Sequence, residues 1–324
     1  MHMYSHGFRA LTLAAAFAIA HVATAAPATH YVFALPDPAP FYTAIAVHVT
    51  AVDDTNTVDT GYAGTAAVTS SDPGLAVVGA TTFAAGVLDF TIAFKTAGVQ
   101  SVTLTDNAAP SITGTASTTV PPGAPTHFSV EGAAPVAGVP AAFTVNARDL
   151  FNNLATSYSG TVHITSSDSQ ATLPADFAFS GGTGSASATF RTSGTQTLTA
   201  TDTVTSMAGA GDFAVAAGPA THFSLTLPTT VDPGVAFNFE VMAKDAFENA
   251  NAAYNGTMHF TSSDAGATLP ADSTLTNGQG TFSATLQAAH SNTSITATDT
   301  VDGSVTGTGQ VATLPVTLQS FVVD

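Results

Sequence analysis

Short runs in which apolar and polar residues alternate are the dominant pattern along this chain. Three such runs, at residues 47–51, 143–147 and 239–243, place an apolar side chain at every second position. A period of two with one apolar face is typical of a strand that buries one side in an antiparallel sheet. The side chains predicted to face inward are Val47, Val49 and Ala51, then Phe143, Val145 and Ala147, and finally Phe239, Val241 and Ala243.

Further alternating runs follow each of these three, and turn-forming residues separate them. Examples are Pro73-Gly74, Gly181-Gly182 and Asn277-Gly278, residue pairs that favour a reversal of the chain. Lys, Arg and Glu, which usually cover the surface of helices, are scarce, whereas Thr, Ser and Val are abundant. The sequence therefore predicts an all-β fold of antiparallel sandwiches with about seven strands in each.

Two motifs occur three times with the same spacing. A Tyr-x-Gly-Thr motif begins at Tyr62, Tyr158 and Tyr254, 96 residues apart, and a Thr-Ser-Ser-Asp motif follows each of them. This period is too long for a solenoid unit and suits a β-sandwich domain of about 100 residues. We therefore predict three tandem domains, called repeats 1, 2 and 3. The predicted division is a signal peptide at 1–25, repeat 1 at 26–123, repeat 2 at 124–218, repeat 3 at 219–313, and a C-terminal tail or edge strand at 314–324.

The first 25 residues have the features of an export signal. Arg9 supplies a positive charge, residues 10–20 are almost all apolar, and Ala23-Thr24-Ala25 has the small-x-small pattern of a cleavage site. The apolar run is shorter than the ~20 residues that a membrane-spanning helix needs. The sequence thus predicts an exported protein whose mature chain begins near Ala26 and does not insert into a membrane.

The charge and the absence of cysteine exclude several classes of partner and site. Five Lys and Arg residues stand against 22 Asp and Glu residues, so the net charge is −17. Binding to a phosphate backbone needs clustered basic side chains, so we expect no nucleic-acid partner. Without cysteine, the chain has no disulfide, no thiolate metal ligand and no cysteine nucleophile.

Residues 143–153 and 158–168 carry a resemblance to a known family. The segment Phe143-Thr-Val-Asn-Ala-Arg-Asp149-Leu-Phe151-Asn-Asn153 and the motifs after it resemble the bacterial immunoglobulin-like tandem repeats of secreted and surface proteins. That family includes the invasin and intimin type of adhesin. The resemblance covers essentially all of residues 26–313. It implies tandem Ig-like β-sandwiches in an extracellular or cell-surface protein of a bacterium.

An Asp-x-Phe-x-Asn element within this resemblance is the main candidate for a binding site. In a structural interpretation its Asp and Asn bond their own backbone and its Phe closes the end of the sandwich. The alternative is a calcium site, because calcium prefers carboxylate and amide oxygens. The acids are few for the six to eight oxygens that calcium takes, and no other metal or cofactor is predicted. The candidate calcium ligands are Asp53, Asp54, Asp149, Asn153, Asp245 and Asn249.

Repeat 1 departs from this element, since Thr55 and Thr57 stand where repeat 2 has Phe151 and Asn153. Catalysis finds little support elsewhere in the sequence. The Ser and Asp of the Thr-Ser-Ser-Asp motif lack a Gly-x-Ser-x-Gly elbow, and a nucleophile would not normally be present in three equal copies. No pair of histidines after the signal has metal-ligand spacing. We expect these histidines to be exposed or at domain junctions and to bond the backbone.

The leading hypothesis is a non-enzymatic adhesive or spacer element at or near the bacterial cell surface. Its partner would be a protein or a glycan on another surface, although the chain lacks the Trp side chains on which sugars often stack. One alternative is an accessory or binding region of a larger extracellular enzyme or assembly. Another is a structural surface protein that assembles with itself.

Overall fold

The computed structural model describes residues 26–288 and 292–313, and these residues form 22 strands joined by turns. The predicted signal peptide and the predicted tail at 314–324 lie outside the described residues. Within the described part, no helix is long and apolar enough to cross a membrane. The chain divides into two compact units, Met1–Pro121 and Pro122–Asp324. Each unit consists of β-sheets whose strands pair mainly antiparallel, so the predicted all-β fold is confirmed.

The first unit contains repeat 1, which is a sandwich of two sheets. One sheet has the order β1-β2-β5-β4 and the other has the order β3-β6-β7. All pairings within these two sheets are antiparallel. The strands are β1 (His30–Ala34), β2 (Ile45–Val52), β3 (Ala66–Ser70), β4 (Ala76–Val78), β5 (Val87–Ala93), β6 (Gly98–Asp106) and β7 (Thr113–Val120).

The second unit begins with repeat 2, which also forms a four-stranded and a three-stranded sheet, although its short strand belongs to the opposite sheet from the short strand of repeat 1. Its sheets have the orders β12-β9-β8 and β11-β10-β13-β14. This two-sheet, seven-strand pattern is that of an immunoglobulin-like sandwich, as the resemblance implied. The strands are β8 (His127–Gly132), β9 (Ala141–Arg148), β10 (Thr161–Ser166), β11 (Phe177–Ala178), β12 (Thr183–Ala188), β13 (Gly194–Asp202) and β14 (Ala208–Val215).

Repeat 3 differs because its strands form one continuous hydrogen-bonded path. The order is β19-β18-β21-β22-β15-β17-β20, and a parallel pair between His222 and Thr306 joins the two halves. The short strand β16 also pairs with β22 in parallel. The strands are β15 (His222–Thr226), β16 (Thr230–Val231), β17 (Ala236–Lys244), β18 (Thr257–Ser262), β19 (Ser273–Thr274), β20 (Gln279–Thr285), β21 (Thr293–Asp299) and β22 (Thr306–Thr313).

Each repeat has its own hydrophobic core, built from the side chains that the alternation pattern assigned inward. All nine predicted inward residues of β2, β9 and β17 are buried. Phe143 and Phe239, for example, are 3% and 1% exposed, whereas Thr144 and Glu240 point away from the core. The predicted boundary after residue 123 lies close to the division at Pro121, and the boundaries within the second unit remain predictions.

Candidate functional site

The Asp-x-Phe-x-Asn element forms a tight turn after the second strand of repeats 2 and 3, which we call the junction turn (residues 149–153 and 245–249). The Asp begins the turn and closes it with its own carboxylate. In repeat 2, one oxygen of Asp149 accepts the amides of Phe151 and Asn153 at 2.9 and 3.0 Å. Asn152 lies in the left-handed region with a φ of 65°, a conformation that Asn tolerates better than most residues. The spacing of the motif is therefore set by the reach of one carboxylate.

The second oxygen of the same Asp holds the linker that enters the repeat. The amide of Gly123 donates to Asp149 Oδ2 at 2.9 Å, and the amide of Gly218 donates to Asp245 Oδ2 at 2.8 Å. Asn249 adds a side-chain hydrogen bond to Asp245 at 2.8 Å. Each Asp thus fixes the incoming chain to the turn that follows the second strand.

Repeat 1 achieves the same closure with threonines. Thr55 Oγ1 donates to Asp53 Oδ1 at 2.7 Å, and the amide of Thr57 donates to the same oxygen at 3.0 Å. The turn therefore keeps its shape although Thr55 replaces the aromatic ring and Thr57 replaces the Asn. Repeat 1 lacks the aromatic ring and the amide side chain that repeats 2 and 3 have at these two positions.

Electrostatics keep the two buried junction carboxylates ionised. Burial by itself raises the pKa of Asp149, but hydrogen bonds from the Asn153 side chain and the Gly123 amide outweigh burial and hold this pKa below its ordinary value. The pKa of Asp245 is lowered in the same way by Asn249 and Gly218. Hydrogen bonds from N–H groups, rather than an ion pair with a basic side chain, stabilise the negative charge of each of these carboxylates.

This hydrogen bonding bears on the calcium hypothesis. The N–H groups that donate to Asp149 and Asp245 point their hydrogens at the oxygen atoms that a cation would need. Within the described residues, no group of three or more His, Asp and Glu side chains is arranged to hold a metal ion. Asp54 lies exposed beside Asp53 in repeat 1. Calcium binding by Asp53, Asp54, Asp149, Asn153, Asp245 and Asn249 stays a prediction, without support from the geometry at the buried Asp53, Asp149 and Asp245.

Asn249 also reaches across to repeat 2. Its Nδ2 donates to the carbonyl oxygen of Arg191 at 2.8 Å, and its Oδ1 accepts the amide of Ser193 at 2.8 Å. Together with the bond to Asp245, these contacts use both hydrogens and one lone pair of the amide. A single buried side chain therefore joins the loop at 191–193 of repeat 2 to the junction turn of repeat 3.

Phe247 covers the end of the preceding sandwich. Its ring packs against the core of repeat 2, and the guanidinium of Arg191 lies 5.9 Å from the ring centroid. Gly138 makes room for it, since a Cβ there would lie 2.5 Å from the ring. The sandwich whose end Phe247 closes is the preceding one, repeat 2. The bond between Asp245 and the linker holds the turn beside the previous repeat, so the ring is partly buried there.

The Thr-Ser-Ser-Asp motif of repeat 2 holds the same loop from the other side. Asp168 Oδ2 accepts the amides of Arg191 and Thr192 at 2.7 and 2.9 Å, and Oδ1 accepts the Thr192 hydroxyl. Ser167 donates to Gln196 Oε1 at 2.6 Å. These Ser and Asp side chains are thus engaged in structural hydrogen bonds. The two repeated motifs converge on residues 191–193, which form the repeat 2–3 junction together with Phe247 and Asn249.

The Tyr-x-Gly-Thr motif stabilises each sandwich internally. The hydroxyl of Tyr158 donates to Asp202, and Tyr62 and Tyr254 donate likewise to Asp106 and Asp299. The ring folds over the Gly two residues later, where a Cβ on Gly160 would lie 2.5 Å from the Tyr158 hydroxyl. This close approach explains why a Gly recurs at that position.

The histidines make side-chain contacts on the surface. His48, His163 and His259 each pair with an Asp carboxylate at 2.7 Å, on Asp89, Asp176 and Asp272 respectively. His127 Nε2 lies 2.9 Å from the side-chain oxygen of Asn152. The expectation that these residues bond the backbone is therefore wrong, because the outward face of each strand offers them a carboxylate or amide oxygen instead.

Comparison with known proteins gives structural similarities only. No family model and no curated protein matches this chain. The adhesin FdeC of Escherichia coli is 20% identical with a TM-score of 0.40, and the match covers 89% of this chain and 99% of FdeC. Invasin, a bacterial integrin-binding protein, is 17% identical over 88% of this chain and 60% of its own, with a TM-score of 0.36. InvD of Yersinia pseudotuberculosis is also 17% identical, over 88% and 98% of the two chains, with a TM-score of 0.35. At these values the similarity assigns neither a family nor a partner to this chain.

Proposed function

We propose that this protein is a non-enzymatic, exported Ig-like repeat protein that serves as a spacer or adhesive element at or near the bacterial cell surface. The observation that carries this proposal is the repeat 2–3 junction. There, the recurring polar side chains bind neighbouring backbone and linker instead of lining a reaction site. Asn249 alone contributes hydrogen bonds to both Arg191 and Ser193.

A junction of this kind suits a mechanical role. The linker between repeats 2 and 3 is short, and its Gly218 is fixed through the buried carboxylate of Asp245. Linked domains normally move relative to each other unless their interface is substantial. Hydrogen bonds from the side-chain amide of Asn249 and the partial burial of the Phe247 ring restrict that motion here. Repeat 3 is then held at a set position relative to repeat 2, which is what a spacer requires.

The residues suggestive of catalysis have structural partners. Asp72 accepts the amide of Lys95, and Asp168 accepts the amide of Arg191. The motif serine Ser167 donates to the Gln196 side chain. A hydrolytic nucleophile needs a base within hydrogen-bond reach, and a Gln cannot take that proton. These contacts support a non-enzymatic function.

Fractionation of the source cells tests the proposal. An antibody to this chain is used on culture supernatant, washed cells, periplasm and cytoplasm, with protease treatment of intact cells as a second readout. We expect a protease-sensitive pool on washed cells, with an amino terminus near Ala26 after processing. Full-length, unprocessed protein confined to the cytoplasm would contradict the proposal. A much larger band on the surface would instead favour the alternative of a region within a larger extracellular assembly.

A further inference from the structure

The outer face of repeat 3 carries a groove that none of the motifs above explains. It has a volume of about 580 Å³ and lies across β15, β17 and β20, on the side of this sheet that faces away from the core. We call it the outer groove. Its polar lining includes Ser224, Thr226, Glu240, Lys244, Gln279 and Thr281.

The equivalent face of repeat 2 is closed by its own side chains. Arg148 lies along it and donates to Ser129 at 3.2 Å and to Glu131 at 3.5 Å. Across the neighbouring strands, Thr183 donates to Asn146 at 3.1 Å. The carboxylate and most hydroxyls of this face therefore have partners within the same sheet.

Three changes open this face in repeat 3. The strand registers place Thr226, Glu240 and Thr281 side by side, where repeat 2 has Glu131, Thr144 and Ser185. The acid has thus moved from the edge strand to the central strand of the face. The other two changes are Met242 in place of Asn146 and Lys244 in place of Arg148.

The cation of repeat 3 does not reach the relocated acid. Lys244 Nζ donates instead to the backbone oxygen and the carboxylate of Glu248, both at 3.3 Å. Among the described residues, no side chain forms an ion pair or hydrogen bond with the carboxylate of Glu240. Glu240 lies between Thr226 and Thr281, whose hydroxyls also have no side-chain partner in the part of the chain that the structure describes.

The outer sheet face of repeat 1 also carries an acid that is paired with a side chain of the same sheet. Its corresponding sheet places His48 beside Asp89, and the two side chains bond at 2.7 Å. In repeats 1 and 2, therefore, an acid on this face is paired within its own sheet. In repeat 3 the central acid is unpaired and lies in a concavity.

We infer that the outer groove binds an arginine or lysine side chain from a basic segment of a partner protein. The incoming cation would take the place that the Arg148 guanidinium occupies in repeat 2, bonding Glu240 and the hydroxyls of Thr226 and Thr281. The chain's net charge of −17 attracts basic partners at long range. A glycan is less favoured because no aromatic side chain lines the groove.

This inference rests on the proposed function, since it names the class of partner that an adhesive element would bind. Binding to the purified protein can be measured whatever the cellular location proves to be. A failure of the binding experiment therefore leaves the fractionation result standing, and the reverse also holds.

The test is a titration of the full-length mature chain, labelled with ¹⁵N, followed by NMR. The probe is a capped pentapeptide with one central arginine among glycines, and the control probe carries citrulline, the neutral isostere, in its place. We expect saturable shifts at the amides of Thr226, Gln279 and Thr281 with the arginine probe and none with the citrulline probe. Glu240→Gln should weaken binding roughly 5-fold or more, at the upper end for an exposed ion pair.

The matched control is Glu131→Gln, which removes the same charge from the closed face of repeat 2. It should leave the affinity for the arginine probe unchanged. Equal weakening by Glu131→Gln and Glu240→Gln, or shifts spread evenly over the acidic surface, would overturn the inference in favour of non-specific attraction. Binding of maltotriose at the groove, with the arginine probe inert, would overturn the ligand class. Melting curves of both variants verify that each remains folded.

Discussion

At the scale of single residues, buried aspartates are the recurring structural device of this protein. Asp168 and Asp202 each accept three or more hydrogen bonds, mostly from backbone amides. The Thr205 amide, followed by the Tyr158 hydroxyl, lowers the pKa of Asp202 to about 2. Since disulfides are absent, these carboxylates take over part of the task of fixing loops to the sandwich.

Removing the hydroxyl of Tyr158 tests the Tyr–Asp pair. We expect Tyr158→Phe to destabilise repeat 2 by roughly 1–3 kcal/mol, the range for a hydrogen bond to a charged group. The pKa of Asp202 should rise because one of its donors is lost. Amide hydrogen exchange in β13 and a carboxylate NMR titration provide the two measurements. Unchanged exchange rates together with an unchanged pKa would show that the hydroxyl contributes nothing.

Acid should destabilise the protein over a defined pH range. The folded-state pKa of Asp202 is about 2, below the ordinary value of 3.8, so the unfolded chain takes up the proton first. The stabilisation is therefore complete above about pH 4 and is lost as the pH falls towards 2. The lowered pKa values of Asp149, Asp168 and Asp245 act in the same direction.

The measurement is the melting temperature between pH 2 and 7 at constant ionic strength. We expect the main decrease below pH 4. A decrease that was already complete at pH 5 would mean that other groups govern the acid sensitivity.

At the scale of elements, the strands β2, β9 and β17 each have one buried and one solvated face. In β17, Phe239 is 1% exposed, while its neighbours Asn238 and Glu240 are exposed. The same division occurs in β2 and β9. Since the side chains of a strand alternate, this pattern alone fixes which face enters the core.

Truncation at the centre of β17 tests that assignment. Phe239→Ala should lower the free energy of unfolding of repeat 3 by roughly 3–5 kcal/mol, because it leaves a cavity in the core. Asn238→Ala, on the opposite face of the same strand, should change it by less than about 0.5 kcal/mol. Urea unfolding followed by the signals of repeat 3 measures both. Similar effects for the two variants would contradict the assignment of faces.

The junction turn is the element on which the calcium hypothesis can be tested. Because N–H groups already surround Asp149 and Asp245, we expect no rise in melting temperature on adding 1 mM calcium relative to excess chelator. A clear rise in melting temperature that Asp245→Asn abolishes would contradict this expectation and support a calcium site at the junction turn. Asp54→Asn examines the exposed candidate of repeat 1 in the same assay.

At the scale of the whole molecule, the protein repeats one domain and varies what each copy presents. Repeats 2 and 3 keep the Asp of the junction turn and add an aromatic ring and an amide to it, whereas repeat 1 has threonines there. The outer sheet faces vary in a similar way, and in repeat 3 this face combines a groove with a central acid that has no side-chain partner among the described residues. A shared fold with different surfaces suits a protein that combines spacing with binding.

Spin labels can measure the rigidity of the repeat 2–3 junction directly. Because the chain has no cysteine, Val204→Cys and Val301→Cys provide unique labelling sites, on hairpin tips that are 88% and 94% exposed. We expect a narrow distribution of distances between the two labels. Asn249→Ala should broaden it, since two hydrogen bonds across the junction are lost. Asn255→Ala, an exposed Asn outside the junction, is the control, and an equally broad distribution in all three proteins would exclude a rigid junction.

The main strands, their inward faces and the threefold repeat were all predictable from the amino-acid sequence. Each of these depends on local alternation or on spacing along the chain, and burial in a sheet follows directly from a period of two. The turn at Asp168 is local in the same sense, because its carboxylate accepts the amide of Gln170 two residues later.

The contacts between these parts follow from the three-dimensional fold. Phe247 packs its partly buried ring against the preceding repeat, and Asn249 bonds Ser193, which is 56 residues away in the sequence. The isolation of Glu240 depends on the register of three strands and on the direction that the Lys244 side chain takes. Contacts between distant segments follow from how complete domains pack, and no local pattern of apolar and polar residues carries that information.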